Sequence, residues 1–428
     1  MERKEGLLQT IIEGIHDMCY IWKKEMKSMI QDEGVLIFCV VVPLLYPLLY
    51  SWAYNNEVVR DIPVAVVDMS HTQMSRDFIR MMDASPDARV AEYCNDLEDG
   101  KRAMARQEVR GVLYFPPDFE TKLMRMEQSP VSVYCDMSLM LSYKAVYQTA
   151  MAVSQEMNKG IQIQLSGNST DREDEITAQP LAYEEVPVFN STGGYGNAVI
   201  PAVLILIIQQ TLLLGIGLSA GTARESNRYH DLVPVSRHYN GIFRIVLGKS
   251  LCYAMVYAVM GAYLTMVVPR IFGFTSIADR SALLALLTPY ILSCIFFGMM
   301  LSCLIRYREN VILLVVFTSL PFLFLTGVSW PQTSIPGPWQ AVAWLFPSTF
   351  GVRGFIRLNS MGASLSDITQ EYQALWLQVL VYFFITCIVY RYQILHARRH
   401  AVRRLIQIKE HAQEAKNKTA ETAETTEN

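Results

Sequence analysis

The chain is predicted to fold as an α-helical polytopic membrane protein, with six transmembrane helices and an extracytoplasmic α/β domain inserted between helices 1 and 2. Three observations carry this. First, six apolar stretches are each long enough to cross a hydrocarbon core, which takes about twenty residues: Gly34–Tyr54, Tyr195–Ala220, Ser250–Pro269, Ala282–Ile305, Val311–Trp330 and Ala374–Leu395. Second, a long polar insert separates the first stretch from the second, whereas the last five lie close together. Third, basic residues mark alternate flanks. Lys23, Lys24 and Lys27 precede the first stretch, and Arg224, Arg228, Arg237, Arg244 and Lys249 fill the second connection. Arg306 and Arg308 lie between the fourth and fifth, and Arg391, Arg398, Arg399, Arg403 and Arg404 follow the sixth. If the spans alternate, all four flanks share one side. The positive-inside rule makes that side the cytoplasm, with both termini there and the insert outside.

Residues 1–33 precede the first span, which occupies 34–55. From Leu7 to Asp32, the residues Leu8, Ile11, Ile12, Ile15, Met18, Cys19 and Trp22 recur at helical spacing against Glu13, Asp17, Lys23, Lys24 and Lys27. Such an amphipathic helix lies in the membrane interface with Trp22 at headgroup depth, or packs on another protein surface; the two are compatible. It does not read as a cleavable signal, because the apolar run comes too late.

Residues 56–190 alternate strand-like and helical runs. Ile62–Val67, Val90–Tyr93, Gly111–Phe115 and Val131–Tyr134 read as strands; Ser70–Met82, Leu97–Gln107, Phe119–Glu127 and Leu139–Leu165 read as helices, with Asp118 as a cap after Pro116-Pro117. The pattern predicts an α/β module with part of its sheet parallel, and about 130 residues can hold their own core. From Ser166 to Glu185 the chain is polar and acidic and reads as a mobile loop. Cys94 and Cys135 are the cysteines of this domain, and whether they pair depends on a separation that sequence does not give. His71 is its only histidine, and no Ser/His/Asp or Cys/His set is suggested.

Residues 191–398 hold spans two to six. The connection 222–249 carries Arg224, Glu225, Arg228, His230, Asp231, Pro234, Val235, Ser236, Arg237 and Tyr239. Mixed charge with aromatics beside two spans suits docking to a cytoplasmic partner; the alternative is a solvated loop that obeys the charge rule. Leu247-Gly248-Lys249-Ser250 ends like a P-loop, but Phe243 stands where that motif needs glycine and the string opens a membrane helix, so nucleotide is not expected there. Residues 331–355 are apolar, broken by proline and too short to span twice. They are predicted to form short helices dipping into the outer leaflet, sheltered by neighbouring helices. Arg353 and Arg357 then fall on the outer side, to pair with acidic groups or lipid headgroups. The tail 399–428 turns to Glu, Lys, Thr and Ala and is expected to be partly disordered.

Composition removes several function classes. The chain is 51% hydrophobic and 18% charged with a net charge of -3, which argues against nucleic acid as a partner. Few ionisable residues lie inside the spans, which argues against an ion-coupled transporter. No clustered His/Cys set suggests a metal, and no catalytic set suggests an enzyme. Cys39, Cys252, Cys294, Cys303 and Cys387 lie in or beside spans as small apolar residues.

Together these features resemble the membrane subunit of type 2 ABC exporters, the drug-exporter-like branch with a large extracytoplasmic domain. The layout of one span, an α/β domain and five spans is the first match. Ile62-Pro63-Val64-Ala65-Val66-Val67-Asp68 followed by Ser70 is similar to the opening strand of that domain, and Gly111 through Phe119 to its third strand and proline turn. Gly327, Pro331, Pro336, Trp339, Pro347 and Arg353 resemble the family's late signature in the outer segment. The likeness covers nearly the whole chain. It implies that Arg224, Glu225, Arg228, Asp231, Pro234, Arg237 and Tyr239 belong to the segment that docks on the ATPase. Arg224-Glu225 and Pro234-Val235-Ser236 match, but the family's Gly-Thr between them is missing and the spacing is shorter. The N-terminal helix resembles the connector helix.

The resemblance further implies no cofactor on this chain, with ATP and Mg held by a partner ABC ATPase. It implies a second permease, either a copy or a sister chain, and a bacterial inner membrane location with a periplasmic adaptor as a further partner besides membrane lipid. The function expected is ATP-driven outward movement of a hydrophobic or amphipathic cargo. A non-transporting scaffold or surface receptor, with a working extracytoplasmic domain, is the rival class.

Overall fold

The computed structural model describes residues 7–55, 58–167, 170–181, 186–190, 193–226, 232, 241–305 and 307–426. They fall into two compact units: Met1–Asn55 with Phe189–Asn428, and Asn56–Val188.

In the first unit, α1 (Leu7–Gln31) is followed at Asp32 by α2 (Glu33–Ala53). The other long helices are α8 (Tyr195–Ser226), α9 (Ile242–Phe272), α10 (Arg280–Ser302), α11 (Arg308–Leu325) and α14 (Thr369–Thr426). Among the described residues six helices are long and apolar enough to cross a membrane: α2, α8, α9, α10, α11 and the first part of α14. Their backbone groups are satisfied within the helix, as hydrocarbon requires. Two of them contain a π-helical turn, Ile37–Val41 and Tyr263–Val267, just ahead of Pro43 and Pro269. Proline lacks the N–H for the regular bond and crowds the preceding turn, and the wider turn absorbs both effects.

α8 is the centre of this unit. In its most apolar stretch 78% is buried, against 22% for α11, so α8 is held on all sides while α11 keeps an apolar flank open. Cys39, Cys252, Cys294, Cys303 and Cys387 are all buried among these helices, Cys303 at the C-terminal end of α10. The fifth helix ends at Leu325 and not at Trp330, because Thr326 closes it and Gly327 takes a left-handed φ of 87° that turns the chain. Two short helices follow, α12 (Gly337–Ala343) and α13 (Pro347–Asn359), each with proline at its start. The tail is helical through Thr426 where disorder was expected. Its Ala, Glu and Lys favour helix, and continuing α14 needs no new nucleus.

The second unit is a four-stranded sheet in the order β2-β1-β3-β4, from β1 (Ile62–Asp68), β2 (Ala88–Tyr93), β3 (Gly111–Phe115) and β4 (Ser132–Cys135). β1 runs parallel to β2 and β3, and β4 is antiparallel to β3. Alternation along β1 sends Val64 and Val66 to one face, against α3 (Gln73–Asp83), α5 (Phe119–Met124) and α6 (Met140–Ser166). Ala65 and Val67 face α4 (Leu97–Ala105) on the other. Asp68 ends β1 by accepting the Ser70 and His71 amides at 3.0 Å and the Ser75 hydroxyl at 2.7 Å.

Two expectations are corrected here, and the open question of Cys94 and Cys135 is answered. Asp118 does not cap α5: its backbone is near-helical (φ -97°, ψ 12°) rather than extended, and its carboxylate pairs with Lys122 at 2.6 Å. The stretch expected as a mobile loop contains α7 (Asp171–Ala178), capped by Thr170 and led by Asp171, Glu173 and Asp174, which favour a helix N-terminus. Cys94 and Cys135 are free thiols at opposite edges of the sheet. Three strand spacings of about 4.8 Å part those edges, well beyond disulfide reach.

Candidate coupling site at the basic ends of the spans

Helical spacing places Asp17, Ile21, Glu25 and Met29 along one face of α1, with Asp32 just past its end. Ile21 and Met29 are buried in the core of the spans, and each acid meets a cation from a helix far along the sequence. Asp17 Oδ2 lies 2.6 Å from Arg244 Nη1 near the start of α9. Glu25 accepts Lys249 Nζ at 3.0 and 2.8 Å on its two oxygens, plus the hydroxyls of Ser219 and Tyr253 at 3.2 Å. Asp32 Oδ1 lies 2.6 Å from Arg308 Nη2 at the start of α11, and Oδ2 accepts the Thr222 hydroxyl at 2.6 Å. Asp32 also caps α2 by accepting the Gly34 and Val35 amides at 3.1 and 3.2 Å. Burial raises its pKa, but the Thr222 hydroxyl, the Val35 amide and Arg308 outweigh that and hold the carboxyl below its ordinary 3.8.

Gly248 makes the close approach of α1 possible. A Cβ there would stand 2.9 Å from the Met18 carbonyl oxygen and 3.0 Å from Ile21 Cβ. The Gly248-Lys249 string is thus a packing element: the glycine seats α1 and the lysine neutralises Glu25. Its ammonium is held inside the chain rather than presented to phosphate.

Arg224 and Glu225 hold the connection between α10 and α11 from its two ends. Arg224 is buried, and its guanidinium donates to the Cys303 carbonyl at 2.8 Å and to the Ile305 carbonyl, two orphan acceptors past the end of α10. Glu225 Oε1 accepts the Arg308 amide at 3.1 Å, at the first residue of α11, where a carboxylate complements the helix dipole. Arg224 is thus turned into the chain, whereas Glu225 stays exposed. Arg228, Asp231, Pro234, Arg237 and Tyr239 lie outside the described residues.

At the other end, Gly327 forms the turn after α11, Pro336 precedes α12 and Pro347 opens α13, while Pro331 leads a single 3-10 turn. Arg353 Nε donates to the Thr326 carbonyl at 3.4 Å, tying α13 to the end of α11. Arg357 pairs with Glu371 at 2.9 and 3.1 Å. Buried Gln209 of α8 accepts the Ser348 amide at 2.7 Å, pinning the start of α13 to the central helix. Trp330, Trp339 and Trp344 are exposed here, as residues of an interfacial aromatic belt are.

The starts of α2, α9 and α11 and the ends of α8 and α10 therefore meet at one end, which is the alternation the basic flanks predicted. A family model described as ABC-2 family transporter protein matches residues 34–388. The chain belongs to the ABC-2 transporter family. Membership makes this ABC-2 permease a multi-pass membrane transport component, and it implies an ABC ATPase partner and often dimerisation. The match begins at Gly34, so α1 and its acids precede it. A search of curated proteins gave no match.

The partners of Asp17, Glu25 and Asp32 were not anticipated from sequence. The available signal was their spacing of eight and seven residues, which returns them to one side of a helix already assigned as amphipathic.

Proposed function

We propose that this ABC-2 permease is the membrane-spanning subunit of an ATP-driven exporter that moves a hydrophobic or amphipathic cargo outward. The basic end of the spans lies in the cytoplasm, with both termini, and the α/β unit lies outside, in a bacterial inner membrane. Two permeases, identical or sister chains, work with two ATPase subunits that hold ATP and Mg; a periplasmic adaptor completes the path. The observation that carries this reading is the Asp17, Glu25 and Asp32 ladder. It ties one helix to α11 and to α8 and α9, the helices on either side of residues 227–240 in the sequence, so a displacement there reaches several spans together. In this reading Arg228, Asp231, Pro234, Arg237 and Tyr239 meet the ATPase, while Arg224 and Glu225 make the α10–α11 connection move with α8. Nucleotide needs only to bind one arrangement better than the other. The open apolar flank of α11 suits lipid or the second permease.

Two measurements test the proposal. Cysteine at Asp174 should label from outside intact cells, and cysteine at Asn227 or Gln413 should not; outside labelling at Asn227 overturns the orientation. Arg228→Glu with Arg237→Glu should leave the chain folded but reduce recovery of the ATPase with it. If that variant still binds the ATPase and transports as the wild type does, residues 227–240 are a solvated connection and the scaffold class takes precedence.

A further inference from the structure

In the α/β unit, the chain leaving β1 turns to α3 on one face of the sheet, and the chain leaving its parallel neighbour β2 turns to α4 on the other. Connections that diverge in this way leave a crevice outside the carboxyl ends of the two strands. A cleft of about 740 Å³ opens there. Asp68 and His71 line it from the end of β1 and the loop that follows, Arg76 and Ile79 from α3, and Tyr93 and Asn95 from the end of β2. Its donors outnumber its acceptors. The Asp68 carboxylate is already filled by the Ser70 and His71 amides and the Ser75 hydroxyl. Arg80, also on the lining, is taken up by Asp77. Past the end of β2, Asp96 caps α4 and Asp99 pairs with Arg102. Arg76 donates to the His71 carbonyl at 3.0 Å and, among the described residues, makes no ion pair. Its guanidinium is thus held against the β1–α3 loop with donors to spare, and Asn95 adds an amide and His71 an imidazole. Exposed Tyr93 and buried Ile79 supply an apolar wall.

We propose that this crevice binds a small organic carboxylate, with the carboxylate on Arg76 and the apolar body against Tyr93. A guanidinium is a planar fork that matches the two oxygens of a carboxylate. One unpaired guanidinium balances one negative charge, which suits a carboxylate better than a phosphate dianion. An apolar wall beside a few convergent polar groups is the usual build of a small-molecule pocket. Cys94, half-buried on the same lining, is a reporter thiol for the site, and Cys135, at the opposite edge of the sheet, is its control. The proposal rests on the α/β unit alone and needs neither ATPase coupling nor a direction of transport.

The test uses the full-length chain in detergent, treated with iodoacetamide and mapped by peptide mass spectrometry. Benzoate should slow alkylation of Cys94 and leave that of Cys135 unchanged. It should act at lower concentration than acetate, which carries the same carboxylate without the ring, and than inorganic phosphate. Arg76→Gln should raise the benzoate concentration for half protection by about tenfold. Arg89→Gln, an exposed position at the other end of β2, should not change it. Arg76 is exposed, so its variant should melt with the wild type and the shift reads binding rather than unfolding. Tyr93→Ser is a second reading of the same site: it should remove the advantage of benzoate over acetate. Absence of Cys94 protection by benzoate overturns the proposal, as does equal protection of both thiols or the same shift from Arg89→Gln. Equal protection of the wild type by acetate or phosphate overturns the assignment to an organic carboxylate.

Discussion

Lys249 and Glu25 face each other between α9 and α1, with Nζ 2.8 Å from the nearer carboxylate oxygen and both side chains 10% exposed. Two charges this far from water depend on each other. Lys249→Met leaves a buried carboxylate and should destabilise the permease by about 3–5 kcal/mol. Adding Glu25→Gln should recover most of that loss, since the second charge is then gone as well. Thermal unfolding of the four chains in detergent gives the coupling; additive losses would show that the pair is not one unit. Nucleotide binding by an associated ATPase should be untouched by Lys249→Ala.

Gly248→Ala should push α1 off α9, at about 1–3 kcal/mol for overpacking. Gly160→Ala is the matched control, because no atom lies within 4 Å of a Cβ in the middle of α6. Proteolysis in the 7–31 segment should quicken in the first variant alone. Equal protection in both would mean that α1 has room to spare at this contact.

Glu225→Ala should cost about 0.5–2 kcal/mol, the usual range for a lost helix cap, and Glu225→Arg more, because a cation then meets the start of α11. Glu225→Gln keeps an acceptor and should stay close to wild type. Hydrogen exchange at residues 308–310 reads the effect directly. Unchanged exchange in Glu225→Arg would remove the capping role.

The Asp32 carboxyl is held below 3.8 in the folded chain. Its stabilising contribution is therefore complete above the unfolded value and is lost as pH falls through the folded one. The gap in melting temperature between wild type and Asp32→Asn should be constant near neutrality and close below about pH 4. A gap that persists unchanged into that acid range would place the stabilisation outside the ionised carboxylate.

Both Cys94 and Cys135 should react with an alkylating reagent after unfolding without reductant. Burial pushes both thiols up from their ordinary pKa, which also slows oxidation in the folded state. Recovery of a linked peptide pair would contradict the strand order.

Hydropathy made the spans legible because a hydrocarbon solvent imposes one length and one composition, and strand–helix alternation made the α/β unit legible for similar reasons. α7 carries a signal too: Thr170-Asp171-Arg172-Glu173 is a capping pattern, set in a run polar enough to resemble a loop. What sequence could not supply was the pairing of Asp17 with Arg244 or Asp32 with Arg308, since each partner looks like an ordinary flank charge until the helices are packed. Arg224 and Glu225 show the same limit. Their position beside the connection was readable, but the backbone partners that each finds across α10 and α11 were not.

The ladder on α1 also fixes an order of events at the ribosome. Asp17, Glu25 and Asp32 meet cations 227, 224 and 276 residues later. At about 5–20 residues per second, the first acids emerge some ten seconds or more before any partner exists. During that interval α1 has nowhere to place its acidic face except towards water, and its apolar face can lie on the bilayer. The helix is made first and docks last, so the basic end of the bundle locks only once α11 has been inserted.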